Sequence, residues 1–320
     1  MQIIILVTQI FTALFILFIY FRYFNNYLLD FPNTTIKTHS KPTPYLGGII
    51  LLSNLIVIGF FYYFLNHSLI YDSELLIKHL GSKSFLVVFF FNTLFLILIG
   101  LYDDFYNLNY LTRLILTSLI IYFSILIYPE IQISEIKINH LNKINIENLS
   151  IPITILCFLT LINILNFYDG INGQSSIYIS FVLVYIYIKT DFPVSIYLMV
   201  PIIIFLILNL MGKSFMGDSG IYGYSYIIGI LFIISYNNSF LNVEEIVLIT
   251  LLPFLDLLRL CYSRIIRGHS PFLGDKFHIH HLINYSNSLI NTNIILIIIF
   301  SFPIILYLAF EIFYLNIIIF

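Results

Sequence analysis

The run Ser84-Phe-Leu-Val-Val-Phe-Phe-Phe-Asn-Thr-Leu-Phe-Leu-Ile-Leu-Ile-Gly-Leu-Tyr102 carries no charge over nineteen residues, and Asp103-Asp104-Phe105-Tyr106-Asn107 follows at once. As a helix, nineteen residues rise roughly 28 Å, about the thickness of a bilayer's hydrocarbon core. The stretch therefore predicts a transmembrane helix that ends on two adjacent carboxylates. Like charges side by side resist joint ionisation unless a cation or a donor shares them, so the pair is suited to Mg²⁺, a proton or both. A solvated helix cap is the plainer alternative.

Outward from this run the chain repeats the pattern. Of its 320 residues, 60% are hydrophobic and 9% charged, and the mean hydropathy is +0.99, too apolar for a water-soluble globule. Cutting at charges and turn residues predicts ten spans, near 2–22, 46–65, 84–102, 111–128, 150–168, 174–189, 193–211, 221–236, 244–265 and 290–310. Ile312 to Phe320 is either an eleventh, abbreviated segment or a surface stub. The fold class expected is all-α and polytopic, a single multi-span domain over 1–320. The first span lacks a basic leader and a small-residue cleavage site, so it is expected to be retained. Sixteen acids nearly balance fourteen bases, and no basic stripe interleaved with aromatics suggests nucleic acid. Cys157 and Cys261 have no metal-like spacing and are expected as small core residues.

Successive spans place alternate loops on opposite sides. The odd loops hold Lys37 to Gly48, Asp103 to Arg113, Asn166 to Gln174, Met211 to Gly220 and Arg264 to Ser288. The even loops are Asn- and Ile-rich connectors. Nine Lys and Arg fall on the odd side and five, including Lys78, on the even side, which predicts odd loops in the cytoplasm and the N-terminus outside.

Each odd loop carries a polar group of a kind that chemistry uses. In Lys41-Pro-Thr-Pro-Tyr-Leu-Gly-Gly48 two prolines stiffen the approach of a cation suited to phosphate, although positive-inside bias alone would also put a lysine there. In Asn163-Ile-Leu-Asn166-Phe-Tyr-Asp169-Gly-Ile-Asn172-Gly-Gln174, a carboxylate and several amides crowd two glycines at a break between spans. Facing lipid, such an Asp would cost roughly 2.5–3.5 kcal/mol, so a polar pocket is expected, with a simple turn as the alternative. Phe215-Met-Gly-Asp218-Ser-Gly220 presents one carboxylate on a glycine-flexed loop, a hard-cation ligand or a helix cap. The fifth loop gathers Arg264, Arg267, His269, Lys276, His278, His280 and His281. Histidines at i, i+2, i+3 suggest zinc, but no Cys or second acidic cluster nearby completes a tetrahedral set, and the flanking Arg and Lys favour an anion, or lipid headgroups. Asp256 and Arg259 are expected to form an i,i+3 pair that neutralises two charges near a helix end. Metal-binding acids and phosphate-binding cations on one side of a membrane imply phosphoryl transfer at its surface.

In order and spacing, Gly-Leu-Tyr-Asp103-Asp104, Asn166-Phe-Tyr-Asp169-Gly-Ile-Asn172-Gly, Phe215-Met-Gly-Asp218-Ser-Gly and the loop ending His278-Ile-His280-His281 resemble the polyprenyl-phosphate N-acetylhexosamine-1-phosphate transferases, of glycosyltransferase family 4. The resemblance runs from Lys41 to His281. It implies transfer of a sugar-1-phosphate from a UDP-N-acetylhexosamine to undecaprenyl phosphate, with release of UMP, at the cytoplasmic face of a bacterial inner membrane. It implies Mg²⁺, or Mn²⁺ in its place, and leaves a homodimer open. The His-Ile-His-His form is similar to the branch that starts O-antigen, enterobacterial common antigen or teichoic acid linkage units with N-acetylglucosamine-1-phosphate. Carried over residue by residue, it implies Asp218 as the Mg²⁺ ligand, with Asp103, Asp104 and Asn166 as further candidates. Asp103 and Asp104 would serve the metal and the polyprenyl phosphate, one of them as base. Asn166, Asp169 and Asn172 would lie near the nucleotide, Phe215 against uracil and Lys41 at the nucleotide end. Arg264, Arg267, His278, His280 and His281 would meet the sugar diphosphate. Many members carry Asp where this chain has Asn172, which predicts altered donor contacts. A transporter with acids lining its path, or an inactive envelope-complex subunit, are the competing readings.

Overall fold

The structure, a computed structural model, describes residues 2–32, 41–64, 82–138, 143–270 and 277–319. Helices occupy each of the ten expected places. They are α1 (Gln2–Ile19, continued by a π-helical turn Tyr20–Phe24), α2 (Gly47–Phe64), α3 (Lys83–Leu86, a π stretch Val87–Asn92, then Thr93–Tyr106), α4 (Tyr110–Ile127), α5 (Ser150–Tyr168), α6 (Gln174–Thr190), α7 (Pro193–Leu210), α8 (Gly217–Asn237) and α9 (Val243–Ile266), then a short α10 (Ile279–Ser286) and α11 (Leu289–Ile319). Among the described residues, eight of these helices have the length and hydropathy to cross a bilayer, and the protein is an all-α, multi-pass membrane protein. α11 runs unbroken through Ile319, so the segment from Ile312 continues this helix and forms no separate element. Cys157, expected in the core, is exposed on the outer surface of α5, and Cys261 is half-buried. Lys37, Lys78 and Lys276 lie outside the described residues.

Helix ends follow local chemistry. Asn107 takes a left-handed φ of 49° and stops α3. The Asn109 side chain accepts the Leu111 N–H at 3.3 Å and starts α4. Pro193 opens α7, and Asn242 with Glu245 forms a capping box on α9.

α8 is the axis of the bundle. Every residue from Ser219 to Tyr236 is buried, and the helix packs on α2, α3, α5 and α6. Small residues allow this: a Cβ on Gly100 would stand 2.5 Å from the Ser219 backbone, so α3 and α8 cross in near-backbone contact. That crossing puts the acidic end of α3 against the first turn of α8. α1, α7, α9 and α11 lie further out, with Phe11, Phe18, Leu255 and Ile305 turned outward as lipid-facing residues are. Two small antiparallel pairs complete the fold. β1 (Leu29–Asp30) pairs with β2 (Thr43–Pro44), and β3 (Glu135–Ile136) with β4 (Ile144–Asn145). The second pair gives part of the expected Asn- and Ile-rich connector a definite structure. There the Lys137 N–H donates to the Tyr236 hydroxyl at 2.6 Å, and that hydroxyl donates to the Glu135 carbonyl at 2.9 Å.

Candidate active site

A cavity of about 640 Å³ opens at the end of the bundle where α3 finishes and α8 begins. Asp104, Asn166, Asp169, Asn172, Phe215, Asp218, His278, His280 and His281, nine of the thirteen residues to which the resemblance gives a role, line it. Asp103 lies behind the wall. Lys41, Arg264 and Arg267 are not among its lining residues.

The adjacent acids of α3 diverge because neighbouring helical positions point about 100° apart. Asp103, 3% exposed, turns inward: it accepts the Leu108 N–H at 2.7 Å, Arg113 at 3.1 Å and the Tyr222 hydroxyl at 3.1 Å. Asp104 reaches across to α8 and accepts the N–H groups of Asp218 at 2.7 Å and Ser219 at 3.3 Å. It thus caps α8, a helix other than its own, and this holds Asp218 in place. Gly217, with φ of 69°, makes room, since a Cβ there would meet the Asp104 carboxylate at 2.6 Å. Asp218 accepts the Asn166 amide N–H and lies 3.8 Å from Arg113, which therefore bridges Asp103 and Asp218. Two carboxylates on one guanidinium, with Asp104 bound to the backbone of Asp218 and the Asn166 amide adjoining, make a cluster of hard oxygen donors. That donor chemistry fits Mg²⁺.

The amide-rich loop forms the facing wall. Asp169 accepts the Ser175 hydroxyl, and its residual exposure is to the cavity. Burial outweighs that hydrogen bond and pushes its carboxyl up to about 6. Asn209 at the end of α7 ties two loops together: it accepts the Gly173 N–H and donates to the Ser214 carbonyl at 2.8 Å. The Ser214 hydroxyl donates to the Pro44 carbonyl at 3.2 Å, and Tyr45 forms a parallel bridge with Phe215. Through these contacts three loops far apart in sequence share one scaffold.

The histidines close the third side. His280 is 1% exposed, its Nδ1 lies 3.2 Å from the Gln174 amide, and its Nε2 sits directly over Gly170. A Cβ on Gly170 would fall 1.8 Å from that nitrogen, so a side chain there is excluded. Burial, with His281 and His278 adjacent, drives the His280 ring down to about 2, and it is neutral near pH 7. Arg264 lies over the Phe167 ring (5.3 Å) and Arg267 over the Phe277 ring (4.9 Å), so both brace the motif from outside the cavity.

Several lining residues escaped the sequence reading. Arg113 read there only as a loop boundary and a positive charge. Asp30, set beside Tyr45, adds another acid to the wall, and burial, with that acid second, raises the Tyr45 hydroxyl. Tyr222 and Asn209 were hidden inside apolar spans. Asp256 read as an i,i+3 partner of Arg259, which it is, at 2.7 Å. The structure also brings it to His278 and His280, with ligand atoms of the three within 4.8 Å of one another, an acid the histidine spacing alone did not supply.

Fold and site together define a multi-pass helical membrane protein whose carboxylates, amides and histidines converge on one cavity at an end of the helix bundle. Residues 86–236 match the family model Glycosyl transferase family 4. The chain is 30% identical over 145 residues to an undecaprenyl-phosphate alpha-N-acetylglucosaminyl 1-phosphate transferase of Yersinia pestis, covering 41% of this chain and 40% of that protein. It is 33% identical over 93 residues to the protein of the same name from Haemophilus influenzae, covering 27% and 26%. The matched stretch thus spans well under half the length of either relative.

Proposed function

We propose that this protein transfers a sugar-1-phosphate, most simply N-acetylglucosamine-1-phosphate, from a UDP-sugar to undecaprenyl phosphate. An oxygen of the acceptor phosphate attacks the sugar-bearing phosphorus, a new P–O–P link forms, the bond between the two phosphates of the donor breaks, and UMP leaves. The observation that carries this reading is convergence: Asp104, Asp169, Asp218 and the three histidines, spread over 178 positions, line one cavity of a size suited to a nucleotide sugar.

Each wall has a task on this reading. Asp218, with Asp103 and the Asn166 amide beside it, would hold Mg²⁺, which supplies charge neutralisation for a diphosphate. Arg113, released from one of its carboxylates, would offer a second positive group to phosphoryl oxygens, and Asp103, bound to it behind the wall, would orient it. Asp169, Asn172 and Phe215 frame the nucleotide, with Phe215 offering a ring face. Neutral His280 offers a hydrogen-bonding nitrogen at Gly170. Lys41, Arg264 and Arg267 act from outside the cavity, as entry or bracing groups. We infer the odd loops to be cytoplasmic and the membrane to be a bacterial inner membrane.

The deciding measurement is UMP release in reconstituted membranes from UDP-N-acetylglucosamine, and from other UDP-amino-sugars in parallel, with undecaprenyl phosphate and Mg²⁺. UMP that requires both lipid and metal supports the assignment, and none from any donor defeats it. A transporter would instead expose the two sides of its path to opposite faces. Asn172→Cys and Ser219→Cys labelled by impermeant thiol reagents from opposite sides would favour that reading.

A further inference from the structure

The histidine motif is held by a residue outside its own loop. Asp256, on α9 and 3% exposed, lies beneath the first turn of α10. Its Oδ1 accepts Nε and an Nη of Arg259 at 3.1 and 2.7 Å, and the Ile279 N–H lies 3.3 Å from each carboxylate oxygen. Its Oδ2 stands 3.4 Å from Nδ1 of His278, and Arg259 also donates to the Phe277 carbonyl. One ion pair therefore hydrogen-bonds the backbone of Phe277 and Ile279 and sets its carboxylate beside the buried Nδ1 of His278 between them. An i,i+3 pair that merely neutralised charge would need none of these three contacts.

The contacts propagate. Nδ1 of His278 faces the carboxylate, so its Nε2, on the far side of the ring, is the nitrogen left for the cavity. That ring stacks on His280 with centroids 5.0 Å apart and planes at 21°, and it lies 5.7 Å from Phe167. His280 is thereby kept over Gly170, and among the described residues its buried Nε2 has no hydrogen-bond partner.

We propose that Asp256 is the positioning residue of the histidine motif, acting through His278 and the first turn of α10 to present the two buried rings to an anionic ligand. That the anion is a sugar diphosphate rests on the transferase reading; the positioning itself does not. It is tested with the full chain in nanodiscs as Asp256→Ala, Asp256→Glu, His278→Ala and the Asp256→Ala/His278→Ala double variant. In Asp256→Ala, amide exchange of the segment 277–286 should rise by about tenfold or more while the helices elsewhere keep their protection. Turnover should fall by about tenfold or more, mainly through a higher KM for the UDP-sugar, with partial recovery in Asp256→Glu. The double variant should be no slower than the slower single one, because a residue acting through His278 has nothing further to lose. Unchanged exchange in 277–286, or losses that multiply, would overturn the proposal. So would a stoichiometric transition metal in the purified protein, since Asp256, His278 and His280 would then be ligands. If Asp256→Ala fails to accumulate, the same two readouts on Asp256→Glu decide. If the unaltered protein releases no UMP from any donor, the transferase reading fails while the exchange measurement still judges Asp256.

Discussion

Buried acids sit at both ends of this bundle, and they are treated differently. At the end away from the cavity, Glu245 is 1% exposed and saturated: Lys189 pairs with it at 2.6 Å, the Tyr185 hydroxyl donates at 2.6 Å, and the Asn242 N–H donates at 2.8 Å. Both carboxylate oxygens have a donor, and the group serves to lock α6 to α9. At the cavity end, Asp103 and Asp218 share Arg113, Asp104 takes two backbone donors, and Asp104 and Asp218 also border the cavity. A buried carboxylate held wholly among protein donors is structural, and one that also borders a cavity is open to a ligand.

The comparison can be broken most sharply at Asp218. Asp218→Ala and Asp104→Ala should each lower turnover by at least about 10², the scale of losing a main electrostatic stabiliser. The two variants should separate, because Asp104 acts by capping α8: Asp104→Asn, which keeps an acceptor, should recover part of the loss, and Asp218→Asn little. Single-turnover rates at saturating donor check this, and near-normal rates in Asp218→Ala would remove the distinction between the two ends.

Glu245→Gln probes the saturated end. It should cost about 2 kcal/mol of stability, less than the roughly 3–5 expected for a fully buried pair because Lys189 is 26% exposed and can turn to water. Turnover per folded molecule should stay within about twofold. A large activity loss at normal stability would show that the far end communicates with the cavity.

Acidity sharpens the contrast further. His280 titrates near 2 in the fold against 6.5 unfolded, so the folded state binds fewer protons and its contribution, complete above 6.5, is lost as pH falls below that value. Asp169, near 6 in the fold against 3.8 unfolded, works in the opposite sense: its contribution is complete below 3.8 and lost as pH rises through about 6. Thermal midpoints measured from pH 4 to 8 should therefore show His280→Asn flattening the acid-side loss and Asp169→Asn removing the fall between about 4 and 6. Parallel curves for all three proteins would contradict both burial effects.

The smallest effect is expected at Asn172. Its main-chain carbonyl accepts the Asn293 amide at 2.9 Å, and its side chain borders the cavity. Asn172→Asp should change donor preference by a few-fold, about 1 kcal/mol or less, without abolishing turnover, as a panel of UDP-sugars would show.

Much of this was legible beforehand for a physical reason. A bilayer forces spans of fixed length, so apolar runs and the charges that end them are read off one sequence, and the ten helices fall where those runs lie. Polar residues at the ends of such runs cannot sit in lipid, which is why the loops with Asp103, Asp169, Asp218 and His280 stood out. Arg113, Asp30, Asn209 and Asp256 did not, since a basic residue at a helix start, a lone acid before a proline, an amide at a helix end and an i,i+3 pair are each ordinary in isolation.

By itself, then, the sequence determined the membrane class, the helix positions and the side of the bundle on which polar chemistry gathers, because hydrophobic length and charge placement act locally along the chain. Tertiary structure alone decided the division of labour: that Asp103 turns to Arg113 while its neighbour caps α8, that Asn209 joins two loops, and that Asp256 underlies the histidines. Those outcomes depend on which helices cross, and the crossing of α3 with α8 at Gly100 is set by close packing between residues more than a hundred positions apart.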